Sequence, residues 1–144
     1  MSDDQSATSA VSDEDLIELA KSARNNAYAP YSNYNVGCAL ITADGTVFTG
    51  ANVENASYGL CICAERTAIS TAASKGHRDL QTVVVVTQSS PPAAPCGMCR
   101  QTINEFSNSP SELRIVLVNL DGERRDFRLD ELLPHGFRGA HITQ

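Results

Sequence analysis

Cys63-Ala64-Glu65 and Pro95-Cys96-Gly97-Met98-Cys99 supply three thiols and one carboxylate in the pattern that a hydrolytic zinc site requires. Three thiolates on a tetrahedral ion leave its fourth vertex open to water, and a carboxylate beside that vertex can carry the water's proton. Of the five cysteines, an odd count suits a metal site with two left over better than a closed set of disulfides. Cys38 lies inside the apolar run Val36-Gly37-Cys38-Ala39-Leu40-Ile41 and reads as a small core hydrophobe. Cys61-Ile62-Cys63 offers two candidates for one ligand position, and only Cys63 has a carboxylate two residues on, so Cys63 is the assignment.

A closed structural site is the competing reading, because CxxC pairs are common there. It needs a fourth ligand. Cys61 would serve on count alone, but a Cys-x-Cys pair falls short of the two-to-four-residue spacing usual for two cysteines on one ion. His77, His135 and His141 stand in polar or tail-like contexts and read as surface histidines. The expectation is therefore a catalytic centre with Cys63, Cys96 and Cys99 on Zn²⁺ and Glu65 as proton carrier. Arg66 would add a fixed positive charge beside the thiolates.

These residues must be positioned by a fold, and the chain alternates helical with extended patterns, as in an α/β layer architecture. Residues 1–11 read as a disordered tail. Ser12-Asp13-Glu14-Asp15 reads as a helix N-cap with an acidic first turn, and apolar spacing carries that helix to about residue 28, before Ala29-Pro30. Two strands, near 35–42 and 46–51, flank the hairpin signal Asp44-Gly45. After an irregular stretch over 52–62, a helix is predicted from Ala64 to Lys75, stopped by Gly76.

Thr82-Val83-Val84-Val85-Val86-Thr87 and Leu113 to Leu120 read as strands covered on both faces. A short helix over 97–106 lies between them. Asp121-Gly122 then turns into an edge strand, followed by a helical turn from Leu129 to Leu133. In this map Cys63 falls at the start of one helix, and Cys96 and Cys99 at the start of another, where the macrodipole and free N–H groups favour thiolates. One difficulty follows: residues two apart face different directions on a regular helix, so Cys63 and Glu65 can share a site only if Cys63 sits at an irregular first turn.

Composition narrows the substrate. With 144 residues, 17 Asp and Glu against 11 Lys and Arg, and a formal net charge of −6, the chain suits one acidic domain over 12–144 and would repel nucleic acid. No apolar segment approaches the ~18 residues of a membrane span, and the N-terminal residues lack a signal-peptide core. The expectation is a soluble, cytoplasmic protein with no membrane or nucleic-acid partner.

From about Tyr28 to Phe137 the sequence resembles the small, homotetrameric, zinc-dependent cytidine deaminases. The resemblance runs in order through Tyr28-Ala29-Pro30-Tyr31-Ser32, Val36-Gly37, Thr49-Gly50-Ala51-Asn52-Val53-Glu54-Asn55-Ala56 and Cys63-Ala64-Glu65-Arg66-Thr67-Ala68. It continues in Pro95-Cys96-Gly97-Met98-Cys99-Arg100-Gln101 and Glu131-Leu132-Leu133-Pro134. It implies a three-layer α/β/α sandwich on a mixed, roughly five-stranded sheet, with one Zn²⁺ per subunit on Cys63, Cys96 and Cys99. The implied activity is hydrolytic deamination of free cytidine, and of 2′-deoxycytidine, in pyrimidine salvage, with Glu65 as the proton shuttle.

The resemblance also implies that Asn52 and Glu54 bind the ribose hydroxyl and that the backbone N–H of Ala64 meets the pyrimidine 2-carbonyl. Tyr34 would stand where the family usually places Phe against the ring. Active sites would lie at subunit boundaries, with Phe137, and also Ala56 and Tyr58, reaching into a neighbouring pocket. Two further departures are Ala94, where the family commonly has Ser, and the thiol of Cys61. A deaminase for a blasticidin-type aminopyrimidine, a polynucleotide-editing deaminase and a non-enzymatic zinc module are the alternatives.

Overall fold

The computed structural model describes residues 10–143. Residues 1–9 of the expected tail lie outside the described residues, and Ala10 and Val11 are exposed without regular structure. Helix α1 spans Asp13–Arg24, and its start is the predicted capping box: Ser12 Oγ accepts from the N–H of Asp15 at 3.1 Å while Asp15 accepts from the N–H of Ser12 at 3.0 Å. The helix stops four residues before the predicted end at 28, at Asn25-Asn26. Asn favours turns, and the N–H groups of Asn25 and Asn26 close onto the carbonyls of Ser22 and Ala23.

Strands β1 (Gly37–Thr42) and β2 (Val47–Ala51) form the predicted hairpin, and Gly45 at its tip has φ +87, the left-handed backbone that glycine adopts without strain. Helix α2 (Ala64–Ser74) ends before Gly76, also left-handed, as predicted. Strand β3 (Leu80–Thr87), helix α3 (Gly97–Glu105), strand β4 (Arg114–Asn119), strand β5 (Arg124–Arg128) and the short helix α4 (Leu129–Leu132) complete the order. The five-stranded sheet runs β2-β1-β3-β4-β5, with only the β3–β4 pair parallel. β5 is a charged edge, a form that discourages pairing with a further strand.

Side chains alternate along the central strands, so the sheet has two apolar faces. Ala39, Ile41, Val84, Val86, Val116 and Val118 pack with Leu16 and Ala20 of α1. Cys38, Leu40, Val83, Val85, Ile115 and Leu117 pack with α2, Ile103 of α3 and Leu129 of α4. Helices thus cover both faces, giving the expected three-layer α/β/α sandwich, and the near-continuous apolar runs of β3 and β4 follow from burial on both sides. Cys38 is fully buried, and burial raises its thiol pKa well above the ordinary value, in keeping with its reading as a core hydrophobe.

One close approach seats α2. A Cβ on Gly50 would come within 2.6 Å of the Ala68 backbone nitrogen and 2.8 Å of the Ala64 carbonyl oxygen, so only glycine lets β2 lie against the first turns of that helix.

Candidate active site

The three expected thiols converge. Sγ atoms of Cys63, Cys96 and Cys99 all lie within 4.8 Å of one another, and those of Cys63 and Cys96 are 3.9 Å apart. Three sulfurs on a tetrahedral ion with Zn–S distances near 2.3 Å would be separated by about 3.8 Å, so the cluster fits Zn²⁺ with only small adjustments. Cys61 stands outside it: its sulfur accepts the N–H of Asn55 at 3.3 Å. No histidine joins the cluster among the described residues. His77 departs from the surface reading, being half-buried against Phe48 and paired through Nδ1 with Asp44 Oδ2 at 2.9 Å.

The difficulty over Cys63 and Glu65 is resolved by the backbone. Cys63 is the N-cap of α2, with extended φ −73 and ψ 155, so its side chain escapes the helical rotation and shares a site with Glu65. Cys96 repeats this as the N-cap of α3, with φ −67 and ψ 170, and Cys99 follows in that helix's first turn. Neither cysteine spends its side chain on capping its helix. Two helix N-termini therefore direct their positive ends toward the sulfurs.

Proton affinities in the cluster follow from these neighbours. Hydrogen bonding from Cys99, then from Arg66 and Cys96, holds the Cys63 thiol down at about 5, against the opposing effect of burial. Cys99 is pushed strongly the other way, chiefly because it is the thiol that donates to Cys63. Cys63 and Cys99 therefore share one thiolate between them, and a dication would displace the proton that Cys99 keeps. Arg66 lies against the group, with Nη2 3.9 Å from the Cys63 sulfur and its Nε buried without a partner. That unspent donor beside thiolates suits a centre whose sulfurs carry excess negative charge on one ion.

Glu65 is 5% exposed, and burial, with the charge of Cys63 adding to it, pushes its carboxyl up to about 7. Cys63, Cys96 and Glu65 line a cavity of about 310 Å³ together with Tyr34, Asn52, Glu54 and Ala64. Such a volume suits a small molecule.

Hydrogen bonding defines what the cavity wall still offers. Asn52 Oδ1 accepts the Val36 N–H at 2.8 Å, and Asn52 Nδ2 donates to the Tyr34 carbonyl at 2.8 Å. Glu54 Oε1 accepts the N–H groups of Tyr31 at 2.9 Å and Ser32 at 3.2 Å, and its Oε2 accepts the Ser32 hydroxyl. These bonds hold Glu54 below the usual carboxylate range, the Ser32 hydroxyl foremost. One N–H and one lone pair of Asn52, and one lone pair of Glu54, are left for a ligand.

Ala56, Tyr58 and Phe137 stand apart from the cavity of their own chain. Tyr58 is 76% exposed and edges against Tyr31, while Phe137 presents its ring to solvent and to His141. The Phe137 carbonyl is held by Gln101 Nε2 at 2.8 Å and Asn104 Nδ2 at 2.9 Å.

Two groups were not assigned a task from the sequence. Arg100 ties the approach to Cys96 in place, donating from Nε to the Pro95 carbonyl at 2.7 Å and from Nη1 to the Leu132 carbonyl at 2.8 Å. Its place directly after Cys99 was the available signal. Ser89 bonds the hydroxyl of Tyr34, and no local pattern announces it.

Known proteins share both the chain and the architecture. The family model described as the cytidine and deoxycytidylate deaminase zinc-binding region matches residues 10–112. A cytidine deaminase of Halalkalibacterium halodurans is 48% identical over 128 residues, covering 89% of this chain and 96% of that protein. One from Sporosarcina psychrophila is 44% identical over 130 residues, covering 90% and 94%. The crystal structure of cytidine deaminase from Burkholderia pseudomallei superposes with a TM-score of 0.83 at 51% identity, covering 88% of this chain and 99% of that one. A zinc-region match over most of the chain, near-complete coverage of relatives almost half identical, and a thiol cluster of tetrahedral dimensions lead to one conclusion: the chain belongs to the zinc-dependent cytidine deaminase family of hydrolases.

Proposed function

We propose that this chain hydrolyses the C4 amine of free cytidine and of 2′-deoxycytidine, giving uridine or deoxyuridine and ammonia, as a step of pyrimidine salvage. Cys63, Cys96 and Cys99 would hold the Zn²⁺. The observation that carries this reading is the burial of Glu65 beside three clustered thiols, on a cavity that Asn52 and Glu54 also line. The spare N–H of Asn52 and the spare acceptor sites of Asn52 and Glu54 complement a hydroxyl, which both gives and accepts a hydrogen bond, and this favours a sugar-bearing ring.

Zn²⁺ on these thiolates would supply Lewis acidity that lowers the pKa of water. Glu65, as carboxylate, takes a proton from the attacking water and delivers it to ring N3 as C4 becomes tetrahedral. It then passes the remaining hydroxyl proton to the exocyclic amine, and ammonia leaves. The Ala64 N–H, in the first turn of α2, would bind the 2-carbonyl, and Tyr34 would form the wall against the ring.

Exposed apolar side chains support an oligomer with sites at its boundaries. Tyr28, Val53 and Ile62 are linked by backbone bridges, and with Tyr31, Tyr58, Leu60, Met98 and Phe137 they leave considerable apolar surface uncovered. A homotetramer, with Ala56, Tyr58 and Phe137 reaching a neighbour's cavity, is the assembly we infer. Free thiols and the acidic surface favour the cytoplasm and a free nucleoside over a polynucleotide. No described helix is long and apolar enough to cross a membrane.

Ammonia and ultraviolet assays of the zinc-loaded protein with cytidine, deoxycytidine, cytosine, deoxycytidine monophosphate and blasticidin test the reading. Turnover of the two nucleosides is expected. Turnover of the monophosphate alone, of blasticidin alone, or of nothing would overturn it.

A further inference from the structure

Tyr34 is held from two sides. Its N–H donates to Ser32 Oγ at 3.0 Å and its carbonyl accepts Asn52 Nδ2 at 2.8 Å, which fixes its backbone in the segment before β1. Its phenol then hydrogen-bonds the Ser89 hydroxyl, in the segment after β3. The ring therefore joins two separate stretches of chain at the cavity, and residues from both approaches, including Ser32, Val36, Ala93 and Ala94, line it.

Ser89 is itself anchored in the interior. Asn119, at the end of β4 and 1% exposed, donates from Nδ2 to the Ser89 carbonyl at 3.1 Å and to Glu123 Oε1 at 2.8 Å. Its Oδ1 accepts the N–H groups of Asp121 at 3.0 Å and Glu123 at 2.9 Å, and Glu123 in turn accepts the Ser90 hydroxyl. A buried amide with all these bonds made is a rigid support. Such a chain from a strand end to a cavity wall has little freedom to widen.

We propose that Ser89, supported by Asn119, is a positioning residue that acts through Tyr34. Their hydrogen bond clasps the two segments together and fixes the space left for the pyrimidine ring, so that rings with a bulky substituent are rejected. This rests on the functional reading above. A cavity of about 310 Å³ is at the small end for ligand sites, so the placement of one aromatic wall decides what is admitted.

The test is a double-mutant cycle on the zinc-loaded enzyme, with cytidine and 5-iodocytidine as substrates. Ser89→Ala and Tyr34→Phe each remove the bond. Each should raise KM for cytidine about 5-fold with kcat changed less than about 2-fold, and should reduce discrimination against the iodinated ring by a similar factor. Together they should do no more than either alone, and Ser89→Thr, which keeps a hydroxyl, should recover the wild-type ratio. Thermal melts identify any variant that fails to fold; if Ser89→Ala does, the test is read from the KM and the discrimination of Tyr34→Phe compared with wild type and Ser89→Thr. An inert wild-type protein overturns the functional reading and the clasp with it. An active wild type whose variants keep their discrimination, or whose effects multiply to about 25-fold, overturns the clasp alone.

Discussion

The guanidinium of Arg66 donates to the sulfur of Cys63, with Nη2 3.9 Å from Sγ. The same nitrogen donates to the Cys61 carbonyl at 3.2 Å, so the residue links the loop before α2 to the metal cluster. Partners of metal ligands tune both affinity and ligand charge. Arg66→Ala should lower zinc affinity roughly 10–100-fold in competition with a chelator. An unchanged affinity would assign Arg66 to loop structure alone.

Glu65→Gln preserves shape while removing the proposed proton carrier. The variant should bind one equivalent of zinc per chain by metal analysis and lose roughly 10²–10⁴ in kcat. Near-normal turnover would require a different base, and loss of the metal would place Glu65 in the support of the cluster.

Gly50 faces the first turns of α2 with no room for a methyl group, the nearest backbone atom being 2.6 Å from where Cβ would stand. Because that neighbour is backbone, the strand and helix must separate. Gly50→Ala should cost about 2–3 kcal/mol, lower Tm by roughly 10 °C, and weaken zinc binding along with stability. Gly59, whose Cβ would meet nothing within 4 Å, is the control: Gly59→Ala should leave both unchanged.

Asp13 tests the other end of the molecule. Arg114 Nη2 lies 2.5 Å and Arg124 Nη2 2.7 Å from its Oδ2, and hydrogen bonding from Arg114, the largest influence, holds its carboxyl down at about 2. A carboxyl with a lowered folded-state pKa adds stability above its unfolded value near 4, and that contribution disappears as pH falls toward 2. The group is partly exposed, so solvent screening leaves roughly 1 kcal/mol at neutral pH. Denaturant titrations should show wild type ahead of Asp13→Asn by that amount at pH 7, with the gap closing between about pH 4 and pH 2. A gap that persists at pH 2 would point to packing.

What the sequence made legible divides along physical lines. The metal residues were readable because their chemistry is local: Cys63, Ala64 and Glu65 are consecutive, and Cys96 and Cys99 share one helical turn. Strands β3 and β4 were readable because burial on both faces leaves an unbroken apolar run. The end of α1 was misplaced because the apolar period continues through Ala27 while the turn preference of Asn25 and Asn26 overrides it. The Tyr34–Ser89 bond joins residues 55 apart in the chain, and nothing near either one signals the other. Asn52 was read as a ligand-binding group by resemblance, whereas its amide is also committed to the backbone of Val36 and Tyr34.

The thiols and the carboxylate come from two helix starts, and no residue of β2, β4 or β5 is among them. Asn52, Glu54 and Tyr34 belong to the stretches around the β1–β2 hairpin instead. On the proposed reading the metal chemistry and the sugar contacts sit on different segments that meet at Ala64, so substitutions at Asn52, Glu54 or Tyr34 would alter the fit of the ligand while the thiol cluster stays complete.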